Sequence, residues 1–263
     1  MGRRQEKQEE FSFEDILNEM QSNSNEIECG PYRVKELTMH HQRKNITAGL
    51  EPVESPLRSN RLFNEYIIEN VDCIEEFGNT ADLITVCERP YLINLLRKVT
   101  LGDIYKEDDK TYKIYEVKDS DFNIEEKSMS FECGSMTIRL EYPTLSKDNK
   151  INTHLSDALN PYKGRRLNDD DYGHVGDIYT LYEILKYISS IEMGDNTIEF
   201  DTLSIANRKK FVDKLPLRYI EIIGNFMKKI KDHESKCFTA VNETDPTDTI
   251  EIDVASLFVG KNS

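Results

Sequence analysis

The sequence predicts an α+β fold in which N-terminal helices, a small central antiparallel sheet and a C-terminal helical part follow one another. Three observations predict it. Apolar residues recur at helical spacing over residues 59–77 and again after Pro90. Residues 128–142 alternate between polar and apolar side chains, as half-buried antiparallel strands do. Helical spacing then returns over residues 177–192 and 204–230.

Residues 1–28 are polar and charged, and we predict that they form a flexible arm before a single domain at 29–263. Four apolar residues of the arm fall at helical spacing behind Ser12, a favoured N-cap residue type: Phe13, Ile16, Leu17 and Met20. A helix of this length is marginally stable alone. It therefore docks on the domain or on a partner, or else the arm is disordered, and the sequence leaves both open.

The first part of the domain, residues 30–103, is predicted to be helical. Ser59 is expected to begin a helix that Gly78 ends. Its apolar face would consist of Leu62, Phe63, Tyr66, Ile67, Val71, Ile74 and Phe77. A second helix is expected to start at Pro90, because proline is favoured in a first helical turn. Residues 32–41 fit a strand that runs into a helix.

The middle of the chain, residues 104–143, is predicted to form a small sheet of three or more strands. Residues 111–117 are rich in β-forming side chains. Apolar side chains alternate at Met136, Ile138, Leu140 and Tyr142 until Pro143 ends the strand.

Helices are expected to dominate residues 174–232. They follow a polar stretch at 160–176, whose run of three aspartates, 169–171, is expected to be a solvated acidic loop. A strong apolar face predicts a helix over 177–192, which together with helix 59–77 would form the core.

The remaining elements are shorter. Residues 197–200 are expected to form a strand, Ser204 to cap a basic helix, and Pro216 to open another helix. Alternation from Thr249 onward predicts a short C-terminal strand within 249–259.

The charge balance limits the possible functions. Lys and Arg number 34 against 49 Asp and Glu, so the net charge is −15. Such a surplus of acid disfavours autonomous nucleic-acid binding, which needs cations to neutralise phosphates. The charge is uneven, since residues 64–82 are acidic and the C-terminal helices are basic. This asymmetry either steers one face toward an acidic protein partner or reflects ordinary solvated helix faces.

Five scattered cysteines, with no Cys-x-x-Cys pair, argue against both a disulfide framework and a four-ligand zinc site. The N-terminus lacks the apolar segment of a secretory signal, and no apolar run reaches the roughly 18 residues needed to span a bilayer. We therefore expect a soluble protein made in a cytoplasm, with no membrane association.

Residues that could carry chemistry do not form a recognisable site. His40 and His41 are adjacent, so they do not share one face. Residues 168–173 fail the calcium-loop pattern, because tyrosines stand where oxygen ligands are required. His233 and Cys237 would supply only two zinc ligands. No nucleophile elbow or phosphate loop is present. We expect no enzymatic activity and no cofactor; a hydrolase would need an acid cluster that binds Mg²⁺.

Six short motifs stand in a particular order along the chain. They are Tyr32-Arg33-Val34-Lys35-Glu36-Leu37, Ala81-Asp82-Leu83, Glu88-Arg89-Pro90-Tyr91-Leu92 with Leu96-Arg97, Arg139-Leu140-Glu141-Tyr142-Pro143, Phe211-Val212-Asp213-Lys214-Leu215-Pro216 and Leu257-Phe258. In order and spacing they resemble the baseplate hub assembly family of T-even-type contractile-tailed bacteriophages. The resemblance extends over residues 30–260.

The resemblance implies a non-enzymatic role in phage tail morphogenesis. The protein would bind other baseplate hub or tail proteins in the host cytoplasm, as a chaperone-like assembly factor. The alternative is a structural hub component retained in the virion. Some relatives carry a cysteine pair near the C-terminus, whereas only Cys237 stands here. No metal site is therefore transferred, and the resemblance implies no catalytic or cofactor-binding residues.

Apolar groups near the two chain ends are the expected contact surface, because they can dock to a partner with little change in the domain. These predicted partner-binding residues are Phe13, Ile16, Leu17 and Met20 in the arm, and Leu257, Phe258 and Val259 near the C-terminus.

Overall fold

The computed structural model describes residues 24–48, 53–107, 109–252 and Phe258. Over these residues it confirms a mixed α+β fold. The helices are α1 (Met39–Ala48), α2 (Ser55–Asn70), α3 (Thr80–Leu83), α4 (Arg89–Leu101), α5 (Leu145–Leu159), α6 (Asp169–Tyr187), α7 (Ile205–Val212) and α8 (Leu217–Phe238). The strands are β1 (Glu26–Cys29), β2 (Tyr32–Lys35), β3 (Val71–Cys73), β4 (Ile104–Glu107), β5 (Lys110–Lys113), β6 (Ser128–Cys133), β7 (Met136–Glu141), β8 (Ile188–Met193), β9 (Asn196–Glu199), β10 (Thr239–Asn242) and β11 (Thr249–Glu251).

The strands form three small antiparallel sheets, with the orders β1-β2-β3, β11-β10-β5-β4 and β6-β7-β8-β9. Residues 104–143 therefore contribute to two sheets, which corrects the expectation that they pair with one another in one sheet. Strand β5 pairs with β10, and β7 pairs with β8. Partners so distant in sequence leave no local signal, so pairing could not be assigned from alternation alone.

The predicted helix 59–77 has different ends. Helix α2 begins at Ser55, with Pro56 in its first turn, and ends at Asn70. Val71 is extended and pairs with Val34 of β2. The apolar spacing continues past the true end of the helix because strand β3 also places Val71 in the core. Phe77 is fully exposed and does not belong to the core face.

The predicted helix 177–192 is also shifted. Helix α6 starts at Asp169, where Asn168 forms a capping box: its side chain accepts from the Asp171 N–H at 2.8 Å, and the Asp171 carboxylate accepts from the Asn168 N–H at 3.1 Å. The aspartate run therefore lies in a first helical turn, where negative charge is favourable, rather than in a loop. The helix ends at Tyr187, and Ile188 begins β8.

Helix α5 was not predicted. Thr144 caps it by accepting from the Lys147 N–H at 3.3 Å. Its buried face combines apolar residues with Asp148 and Asn152. These polar residues interrupt the apolar spacing, which is why the pattern did not indicate a helix.

Several shorter elements agree with expectation. Helix α4 contains Pro90 in its first turn, Ser204 caps α7 by accepting from the Asn207 N–H, and α8 follows Pro216. Strand β11 covers the start of the predicted C-terminal strand, and most of the remainder lies outside the described residues.

Helix α4 is the centre of the core. Leu92, Ile93, Leu95 and Leu96 are all at most 1% exposed. They can be buried on several faces because α4 contacts α2, α8 and β2. This position brings its polar residues, Arg89 among them, into the interior.

Candidate functional site: a buried charge cluster and two exposed apolar surfaces

The motif around Glu88 is a structural junction. Glu88 is 3% exposed and accepts hydrogen bonds from the Tyr32 hydroxyl at 2.9 Å and from the Thr85 N–H and hydroxyl at 2.9 and 2.8 Å. Arg97, in the second half of α4, donates to the carbonyl oxygens of Gly102 and Ile104. Glu88 and Arg97, which belong to the motifs quoted above, therefore connect the α4 region to β2 and β4.

Asp148 of α5 is the centre of a buried charge cluster. Its carboxylate lies 2.8 Å from Lys186 Nζ and 3.5 Å from Arg89 Nη1. It also accepts hydrogen bonds from the side-chain amides of Asn64 and Asn152, at 2.7 and 2.9 Å. The cluster thereby joins four helices, α2, α4, α5 and α6.

Burial and pairing set the ionisation of this cluster. Burial alone would raise the pKa of Asp148, but the adjacent Lys186 and Arg89 cations outweigh burial and lower it. The pKa of Lys186 is raised, because Glu183 at 2.7 Å and Asp148 outweigh the cost of burying the ammonium group. Both groups are therefore charged in the folded protein, and each depends on the other for compensation.

We expect the free energy of unfolding to fall on acidification, with a contribution from Asp148. Because its folded pKa lies below its unfolded value of about 3.9, that contribution is complete above about pH 5 and is lost as the pH falls through the folded pKa. Urea unfolding at a series of pH values measures this. The difference between wild type and Asp148→Asn should shrink with acidification, and a difference that stays constant to pH 2 would contradict the assignment.

An open groove of about 370 Å³ lies beside the cluster. Arg89 and Glu234 both line it, with Arg89 Nη2 3.8 Å from Glu234 Oε1. Burial raises the pKa of Glu234. The other lining residues are largely apolar or uncharged: Ser55, Pro56, Ser59, Asn60, Phe63, Pro90, Ile93 and Phe238. The groove thus combines a largely uncharged lining with one arginine–glutamate pair.

Phe258, one of the predicted partner-binding residues, is 2% exposed. Its ring centroid lies 6.3 Å from that of Phe63 and 5.7 Å from that of Tyr66, both in edge-on geometry. Phe258 is thus part of the core of this chain rather than an exposed contact group. The other predicted contact residues, Phe13, Ile16, Leu17, Met20, Leu257 and Val259, lie outside the described residues and remain a prediction.

A second cleft, of about 460 Å³, is lined in part by His233, whose imidazole lies next to the buried thiol of Cys87. Cys87 Sγ lies 3.5 Å from Nδ1 of His233, which lines the cleft. Burial raises the pKa of Cys87 to about 12. Since the thiolate is the nucleophile, this pair is not prepared for nucleophilic catalysis. Sequence reasoning missed it, because 146 residues separate the partners.

Thiol modification should follow burial. Cys73 is half-buried, whereas Cys29, Cys87, Cys133 and Cys237 are buried. We expect iodoacetamide to modify Cys73 first in the native protein, with Cys87 reacting slowly because it is both buried and protonated. Peptide mapping by mass spectrometry measures the order. In urea all five should react at similar rates, and rapid native labelling of Cys87 would contradict its environment.

His40 and His41, considered above as possible metal ligands, do not lie in a metal-binding environment among the described residues. His41 is buried, with Nε2 2.8 Å from Glu69 Oε2 and Nδ1 accepting from the Thr38 N–H. His40 is exposed. Within the described part of the chain, no group of three or more His, Cys, Asp or Glu side chains is arranged to hold a metal ion.

The acidic loop, defined as residues 72–79, exposes two large apolar side chains. Phe77 is 104% exposed and Ile74 is 44% exposed. Glu75 and Glu76 lie between them and are also exposed. Over residues 72–82 the chain has four carboxylates and no basic residue. An aromatic side chain is thus presented to solvent within a negative surface.

The basic corner, defined as residues 209–218, joins α7 to α8 and has the opposite character. Leu217 is 80% exposed. Lys210, Lys214 and Arg218 surround it in sequence and are exposed. The segment has four basic residues and one acid. The sequence predicted the basic character of this segment. For the acidic loop, in contrast, the prediction that Phe77 lies on a core-facing helix face was wrong.

No helix in the described ranges has the length and apolarity that a membrane span requires.

Comparison with known proteins assigns the family. Neither the curated proteins nor the solved structures contain a significant match to the chain. Residues 13–258, however, match the family described as T4 bacteriophage base plate protein. Since this match covers most of the sequence, the chain belongs to the T4 bacteriophage base plate protein family.

Proposed function

We propose that this base plate protein is a non-enzymatic, chaperone-like assembly factor that binds other baseplate hub or tail proteins during tail morphogenesis in the host cytoplasm. The observation that carries the proposal, beside the family match, is the exposure of Phe77 and Leu217 on surfaces of opposite charge. Isolated exposed apolar residues are common, and aromatic residues are enriched at protein interfaces relative to the rest of the surface.

The energetics of protein interfaces favour such groups. Aromatic and arginine side chains contribute most to binding when a partner covers them, while surrounding charges speed association and select partners. Phe77 with Glu75 and Glu76, and Leu217 with Arg218, provide these two components together. The buried charge cluster joins four helices of the domain that carries these surfaces.

Co-purification from infected cells tests the proposal. The full chain with an affinity tag is expected to recover baseplate hub or tail proteins, and Phe77→Ser should reduce their recovery. Tyr172→Ser is the matched control, since Tyr172 is also exposed, at 63%, and lies in neither surface. Recovery of no phage tail protein by the wild-type chain would refute the proposal.

A structural role in the mature virion is the second candidate, since the family description names the baseplate itself. Mass spectrometry of purified particles separates the two roles. Absence of the protein from particles, together with its presence on assembly intermediates, supports an assembly factor. Stoichiometric copies per particle would instead establish a retained hub component.

The predicted contact residues of the arm can be tested separately. Strand β1 begins at Glu26, so a deletion of residues 1–23 removes Phe13, Ile16, Leu17 and Met20 without shortening the first sheet. If the arm binds a partner, we expect the truncated chain to fold but to recover less of it. Unchanged recovery would show that the arm is not a contact surface.

A further inference from the structure

We propose that the protein associates with a second copy of itself, with the acidic loop of one copy docking on the basic corner of the other. The proposal goes beyond the assembly role and does not rest on it. It follows from two surfaces on one chain that each expose a large apolar side chain and that carry opposite charges.

The acidic loop presents a projecting group. Phe77 is 104% exposed, so its ring makes essentially no contact within its own chain. Gly78 follows it, and a Cβ at position 78 would lie only 3.4 Å from the Leu83 side chain. The chain is therefore packed against Leu83 directly after Phe77, whereas the Phe77 ring itself lies in solvent, three residues after the exposed Ile74.

The basic corner presents the complementary surface. Leu217 is 80% exposed at the first position of α8. Beneath it the corner is well supported, because Arg218 stacks on Tyr219, with its guanidinium carbon 4.7 Å from the ring centroid, and Tyr219 stacks on Phe131 at 5.6 Å. A partner would thus meet the exposed Leu217 side chain next to exposed cations, on a corner held by packed aromatic rings.

Charge decides which surfaces of two copies can approach. The whole chain has a net charge of −15, so most pairs of surfaces repel each other. The basic corner is a region of local positive charge that can receive the acidic loop. Since both Phe77 and Leu217 are exposed, they do not cover each other within one chain, so a contact between the two surfaces has to form between copies. Such a contact occurs twice in a two-fold dimer, or once per copy in a ring.

Analytical ultracentrifugation of the full-length wild-type protein tests the proposal. We expect the mass to rise above that of the monomer with concentration, and the association to weaken with salt because exposed charges are screened. Phe77→Ser should raise the dissociation constant about 10-fold or more, as for a central interface aromatic. Tyr172→Ser, which removes an exposed aromatic from neither surface, should leave it unchanged.

Charge reversal makes the pairing specific. Glu75→Lys with Glu76→Lys, and separately Lys210→Glu with Lys214→Glu, should each abolish self-association, because each variant then repels its own copies. A mixture of the two variants should associate, because the reversed loop of one meets the reversed corner of the other. A wild type that stays monomeric at every concentration, or a mixture that fails to associate, would overturn the proposal.

Discussion

Replacing Asp148 with alanine is expected to lower the free energy of unfolding by about 3–5 kcal/mol, the usual cost of leaving a buried charge without its partner. Asp148 is 1% exposed and accepts from Lys186, Asn64 and Asn152. Its removal leaves the Lys186 ammonium group, itself 2% exposed, with Glu183 alone. Urea unfolding followed by circular dichroism measures the loss.

Asp157→Ala is the matched control, because Asp157 lies on the same helix but is exposed. A change within about 0.5 kcal/mol is expected there. In an Asp148→Leu, Lys186→Met double variant, part of the stability should return, because neither charge is then buried unpaired. If the two single substitutions at 148 and 157 cost the same, the cluster would not stabilise the fold as argued.

Phe258→Ala is expected to cost about 3–5 kcal/mol of unfolding free energy, as for a phenylalanine removed from a packed core. The ring is 2% exposed and contacts Phe63 and Tyr66 edge-on. The same urea experiment measures it, and the large value would establish that Phe258 contributes to the core.

Phe77→Ala removes the same atoms from a fully exposed position and is the control. We expect it to change stability by no more than about 0.5 kcal/mol, because no buried contact is lost. A small effect of Phe258→Ala would mean that the C-terminal aromatic does not pack against α2 in solution.

Local signals predicted elements best where they were complete. Pro90, Ser204 and Pro216 indicated helices that the structure contains, because first-turn prolines and cap residues act within a few positions of the helix start. Helix α5 was missed, since Asp148 and Asn152 occupy its buried face and interrupt the apolar pattern. Only the cations that other helices bring to Asp148 make that burial favourable.

The same limit applies to the candidate surfaces. Phe77 continues the apolar spacing of residues 62–74, and nothing nearby in sequence showed that the helix ends at Asn70. The pairing of Val71 with Val34 ends it, and that contact is long-range. Likewise, Leu217 is exposed and Phe258 is buried because of which other elements pack over them. The composition of a short segment carries no information about that packing.

By itself the sequence determined the α+β class, the starts of α4, α7 and α8, and the opposite charges of the early and late segments, since these depend on neighbouring residues and on composition. Tertiary structure decided the partition of the strands into three sheets, the position of Asp148 beside Lys186, and which of two phenylalanines, 77 and 258, faces solvent. The physical reason is that burial and ion pairing are properties of contacts between distant segments. The chemistry of Asp148 requires a cation when it is buried, but only the fold brings Lys186 to it.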